Sequence, residues 1–361
     1  MHRQTNSLRQ LQIKYYHLKF LFPKMSVART LTTLSIRRGE RELVAPARPT
    51  PYEFKVLSDI DDQEVLRFYR SGAFFYRGDA SKSGIDPAKA IKSAISEALV
   101  HYYPLAGRFR ELQPTRKLVV ECTGEGVVFV EADADVRMED FGNSLAPPVP
   151  CYDELLPEQE RATAVVVDRP LLFVQVTRLR CGGFVFGFQI CHCIADGPGI
   201  VQFLTALTEF TRGVPGAPTL CRRPLGEALR LLLEAKARAE QEGDVQSAAG
   251  FNAAHRRPAF PKARTYLISD MTQGGMMAVD FGWGTPVYGG PATIILATFH
   301  LEGRNEAGEV GVNVPTRLPV LALERLKVEV SKGLTVSGRT VTEPADKSKS
   351  ALVPGHALAK L

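Results

Sequence analysis

The sequence predicts a mixed α/β fold with mixed sheets. Three observations predict it: helices with apolar residues at 3.6 spacing, apolar runs bounded by turn residues, and a Gly-Pro break joining one to the other. After a proline-rich entry between Pro46 and Pro51, Asp86-Pro87 marks the first helix start. An Asp can cap there and Pro suits the first helical position. Ile91, Ala94, Ile95, Ala98, Leu99 and Tyr102 follow at helical spacing, and Pro104 ends the pattern. Strands are predicted over 117–122, 126–132, 171–179 and 184–191, the last two paired as a hairpin through residues 180–183. Gly197-Pro198 then breaks the chain before a helix carrying Ile200, Phe203, Leu204, Leu207 and Phe210. Residues 213–224 read as a Pro/Gly linker. A charged amphipathic helix follows over 225–241, with Leu229, Leu232 and Leu233 inward, and then a loop over 243–262. Strands over 293–301 and 310–314 and a helix over 321–332 complete the pattern, ahead of a polar tail predicted to be disordered.

Charge excludes one function class from most of the chain. Of 45 Lys+Arg and 39 Asp+Glu in 361 residues, eight basic and no acidic groups fall in residues 1–39. The remaining body is slightly acidic, so a nucleic-acid footprint is not expected there. Residues 1–25 read as a basic, unstructured extension, with Met25 as an alternative start. The six cysteines show no CxxC pair. Cys191-His192-Cys193 alternate along a strand and cannot converge on one tetrahedral ion, so no metal is expected. The chain has no Asn-x-Ser/Thr acceptor and no 18-residue apolar run, which leaves secretion and membrane spanning without support and points to the cytoplasm. The terminal Ala359-Lys360-Leu361 is close to a peroxisomal address, the alternative location.

Two motifs could carry chemistry. His192-Cys193-Ile194-Ala195-Asp196-Gly197 sits where a strand ends and a turn begins. A His placed there can serve as a general base near neutral pH. The plainer reading is a hydrogen-bonded core histidine with Asp196 near a helix start. The second motif is Asp280-Phe281-Gly282-Trp283-Gly284, which holds the only Trp of the chain. Its glycines permit a backbone path closed to most residues, and the plain reading is an aromatic-anchored turn.

Taken together, the pair resembles the BAHD family of plant acyl-CoA-dependent acyltransferases. The segments Leu57-Ser58-Asp59-Ile60-Asp61-Asp62-Gln63, Tyr102-Tyr103-Pro104-Leu105-Ala106-Gly107-Arg108 and Val287-Tyr288-Gly289-Gly290-Pro291 extend the likeness. So do Gln175-Val176-Thr177-Arg178-Leu179 and Cys181-Gly182-Gly183. Within the family the likeness is nearest to benzyl-alcohol benzoyltransferases and related alcohol acyltransferases. The resemblance implies a two-domain chloramphenicol-acetyltransferase-like architecture. It places an N-terminal domain over residues 26–222 and a C-terminal domain over 223–334. His192 would be the catalytic base at a channel between them. Asp196, Gly197, Asp280, Gly282 and Gly284 would be structural, each Asp paired with an Arg, and Trp283 would shape the channel. Acyl-CoA would be the co-substrate and a small alcohol or amine the acceptor, with no permanently bound cofactor and a monomeric enzyme. His192 and Asp280 lie 88 positions apart here, under half the family's interval, so a central segment of the second domain is missing. The alternative reading is therefore a non-catalytic truncated remnant of such an enzyme.

Overall fold

The computed structural model describes residues 34–142, 145–147, 151–157, 165–214, 250, 267–293, 298–304, 310–316, 318 and 320–336. The basic extension, the 225–241 helix, the 243–262 loop apart from residue 250, and the terminal tripeptide lie outside them.

A six-stranded sheet organises the chain. Its strands are β1 (Ile36–Val44), β3 (Tyr69–Tyr76), β6 (Val127–Ala134), β7 (Leu172–Leu179), β8 (Phe184–Cys191) and β10 (Tyr288–Pro291), in the spatial order β1-β6-β7-β8-β3-β10. Only β6 and β7 run parallel. A three-stranded sheet pairs β2 (Phe54–Val56), β5 (Lys117–Glu121) and β4 (Arg108–Leu112), and another pairs β12 (Val310–Asn313), β11 (Thr298–Arg304) and β9 (Ile268–Met271). The predicted hairpin is observed as β7 and β8, with Gly182 in the left-handed region at the turn.

β8 is buried along its whole length because both of its faces are covered. Phe184, Phe186, Phe188 and Ile190 enter the larger core with the two long helices, while Val185 enters a core on the other side. The backbone of Leu155 crosses so close that a Cβ on Gly187 would meet its carbonyl oxygen at 2.3 Å, so the strand needs glycine there.

Helix α1 (Pro87–His101) buries Ala88, Ile91, Ala94, Ile95, Ala98 and Leu99, the stripe that its spacing predicts. Helix α2 (Gly197–Thr211) packs against it, with Tyr102 edge-on to Phe203 at 5.4 Å and His101 stacked on Phe210 at 6.1 Å. Helix α3 (Val320–Val336) continues past the predicted stop at residue 332 and runs through Gly333, a common stop residue that here lies within the helix.

Asp86 does two jobs at the start of α1. It accepts from the Ala88 backbone N–H at 3.1 Å and receives both arms of Arg178 at 2.8 and 2.7 Å. Burial alone would raise its carboxyl pKa, but the Arg178 hydrogen bonds and charge outweigh it and hold the group below the ordinary carboxylate value. Asp86→Ala is expected to lower unfolding free energy by about 2 kcal/mol at neutral pH, read from a urea melt. Since the folded group has the lower pKa, that contribution is present above the unfolded carboxylate value. It should fade as pH falls through the folded one.

Candidate functional site

His192 stands one residue beyond β8. Its backbone N–H donates to the Phe68 carbonyl at 2.8 Å, which extends the β3–β8 ladder by one rung. Cys191 and Cys193 flank it, buried in an apolar cluster with Phe109, Leu118, Val120 and Leu171. Two buried neighbours thus anchor the backbone while the imidazole points elsewhere. Its ring lies against Phe68, centroids 5.4 Å apart.

The two ring nitrogens differ. Nδ1 is buried and has no hydrogen-bond partner on another residue. Nε2 is not among the buried, unsatisfied atoms, and no described residue hydrogen-bonds it, so it opens outward. This arrangement seals Nδ1 and leaves Nε2 as the nitrogen that a substrate can reach. Burial pushes the pKa of His192 below the ordinary imidazole value, and the charge of Arg70 adds to that effect. Asp196 and Asp61 act weakly the other way.

Asp196 caps α2: its side chain accepts from the Gly199 N–H at 2.9 Å. Gly197 begins the helix, where a Cβ would meet the Met271 methyl at 2.7 Å, so glycine lets the end of β9 approach the turn. Among the described residues neither Asp196 nor Asp280 forms the expected ion pair with an arginine. Both carboxylates instead accept backbone N–H groups, that of Gly282 at 2.7 Å in the case of Asp280.

The second motif lies away from the first. Phe281 is fully buried against Tyr76 and Phe186, with centroids 5.4 and 5.0 Å apart, and Trp283 is edge-on to Phe184 at 5.3 Å. Phe184 opens β8 and His192 follows its end, so about 26 Å of extended chain separates them at ~3.3 Å per residue. Trp283 therefore packs at the opposite end of the strand from His192. Gly282 and Gly284 have φ of 100° and 84°, the backbone path the sequence pattern anticipates. The motif, which the sequence groups with residues 223–334, packs on the core of the six-stranded sheet, and the β10 that follows pairs with β3.

The structure adds two residues beside His192 that sequence reasoning missed. Phe68 carries the imidazole on its ring, and Arg70 places its guanidinium 5.3 Å from the centroid of that same ring. The available signal was a charged residue at the entry to the apolar run of β3.

The matching family description, "Transferase family", covers residues 34–222 and again 216–332. The chain belongs to the BAHD family of transferases. Among BAHD relatives it is 36% identical to a benzyl alcohol O-benzoyltransferase of Petunia hybrida over 434 aligned positions, covering 83% of this chain and 94% of the relative. It is 33% identical to a (Z)-3-hexen-1-ol acetyltransferase of Arabidopsis thaliana over 446 positions, covering 85% and 97%. Both alignments exceed the 361 residues of the chain, so each relative has positions with no counterpart here. The two family matches meet at residues 216–222, where the sequence places the shortening. The BAHD fold is also seen in the solved structure of vinorine synthase, with a TM-score of 0.52 at 18% identity, covering 76% of this chain and 93% of that one. A second solved structure, F. sporotrichioides TRI101 complexed with coenzyme A and T-2, gives a TM-score of 0.50 at 14% identity, covering 76% and 97%. The two sequence relatives place the chain with the family's benzyl alcohol benzoyltransferases and alcohol acyltransferases and mark it as an acyltransferase.

Proposed function

We propose that this chain transfers an acyl group from acyl-CoA to an alcohol or amine, with His192 as the base. The observation that carries the reading is the imidazole itself: held neutral, anchored by buried neighbours, with Nε2 open. Nε2 takes the proton of the acceptor hydroxyl as its oxygen bonds to the thioester carbonyl carbon. The tetrahedral oxyanion collapses, the carbon–sulfur bond breaks, and the imidazolium returns the proton to the departing thiolate. Direct transfer needs no acyl-enzyme, and therefore no nucleophilic Ser or Cys. The likeness to a benzyl alcohol O-benzoyltransferase and a (Z)-3-hexen-1-ol acetyltransferase supports a benzoyl or acetyl donor and a small alcohol acceptor.

The test is CoA thiol release from benzoyl- or acetyl-CoA across an alcohol panel, with the ester identified by mass. A folded protein that releases no thiol with any pair would sink the reading. The pH profile offers a second check. Protonation of His192 removes the base, and burial and Arg70 both oppose protonation. The acid limb of kcat/KM is therefore expected to have its midpoint below the ordinary imidazole value of about 6.5. A midpoint above that value would contradict the placement of the ring.

A further inference from the structure

Arg70 lies in β3, opposite Ile190 of β8 and two residues beyond Phe68, whose carbonyl holds the His192 backbone. Its guanidinium sits over two rings, 5.3 Å from the Phe68 centroid and 5.4 Å from that of Phe299 in β11. Among the described residues it has no ion pair and no hydrogen bond, in contrast to Arg67, which is held by Asp62 at 3.0 Å and Glu111 at 2.8 Å. Its nitrogens are not sealed, because none is among the buried, unsatisfied atoms. A half-buried cation fixed between two aromatic faces, with its donors free and no anion supplied by the described residues, is an unfilled receptor for a planar anion. Since the imidazole and the guanidinium share the Phe68 ring, one bound substrate pair can touch both.

We propose that Arg70 receives a carboxylate of the substrate pair, carried either by the acceptor alcohol or by the far end of the acyl chain. The reading narrows the substrate class of the acyl transfer proposed above and rests on it. It gives Arg70 a binding role and leaves the proton transfer to His192. A neutral alcohol with a simple acyl donor would leave the guanidinium without its anion, so both partners being uncharged is the disfavoured combination.

Equilibrium binding to the full chain tests this without requiring turnover. In the acceptor arm, calorimetry compares 3-(hydroxymethyl)benzoate with benzyl alcohol. In the donor arm it compares malonyl-CoA with acetyl-CoA. In one arm the carboxylate member should bind at least about tenfold more tightly, and that arm identifies the source. Arg70→Met should erase the advantage, while Arg70→Lys should keep part of it as a charge without the planar fork. Arg70→Gln repeats the charge removal with a polar side chain, should the methionine variant not fold. No carboxylate advantage in either arm, or an advantage that survives in a folded Arg70→Met or Arg70→Gln protein, overturns the proposal. A carboxylate advantage lost in those variants, in a protein that releases no CoA, would overturn the acyl-transfer reading and leave the anion site standing.

Discussion

His192→Ala is expected to lower kcat by about 10²–10⁴-fold while leaving the fold in place. Two features separate catalysis from folding here. The backbone N–H that bonds the Phe68 carbonyl survives the substitution, as do the buried flanking side chains of Cys191 and Cys193. The alanine also removes a buried Nδ1 that has no partner on another residue, which offsets part of the lost packing on Phe68. The unfolding free energy should therefore change by no more than about 1 kcal/mol. Substrate binding should be retained, since the imidazole acts on the reacting proton and does not hold the acyl donor. Matched melts and single-turnover rates check the separation. A variant that unfolds with its activity would turn His192 into a packing residue, and one that keeps its rate would remove it from the chemistry.

Phe281→Ala should show the opposite pattern. Its ring is fully buried between Tyr76 of β3 and Phe186 of β8. The Tyr76 hydroxyl donates to the Val279 carbonyl at 2.8 Å, fixing the chain just ahead of the motif. Burial pushes the phenol pKa of Tyr76 well up, so that hydroxyl remains a donor. Truncation to alanine leaves a cavity among rings that cannot collapse together, at an expected cost of about 3–5 kcal/mol. Against a typical stability of about 5–15 kcal/mol this is a large fraction. The expected result is a lower urea midpoint with unchanged m and an unchanged kcat per folded molecule, because the motif lies at the far end of β8 from His192. A kcat loss in fully folded Phe281→Ala would show that the motif reaches the reacting centre.

How legible the molecule was in its sequence depended on how local each signal is. The helices α1 and α2 could be read because cap and apolar spacing agree: Asp86 and Asp196 both accept the backbone N–H groups that a cap exposes. The β7–β8 hairpin could be read from two apolar runs around a glycine turn. β1 was missed because it is an edge strand, largely exposed, with charged residues along it and no buried alternation. β10 was missed for a stronger reason: Tyr-Gly-Gly-Pro has poor strand propensity. Its place comes from tertiary fit, since a Cβ on Gly289 would meet the Phe74 ring at 2.6 Å, and an edge position tolerates Pro291.

The site was half legible. His192 and Asp196 stand where the motif puts them, at a strand end and a helix cap. The relation of the two motifs was not legible, because linear order does not reveal that Trp283 meets Phe184 at the start of the strand that ends beside His192. Arg70 was hidden for a similar reason, since its aromatic neighbours lie on either side of it in the chain at Phe68 and Phe299.

The most direct measurement of the central claim is stoichiometric. Purified full-length chain is mixed with benzoyl-CoA and benzyl alcohol, and with the acid-bearing acceptor, and free thiol and ester are counted together. The account predicts one ester formed per thiol released, with both lost in His192→Ala. Thiol release without ester, or an equal rate in folded His192→Ala, would contradict it.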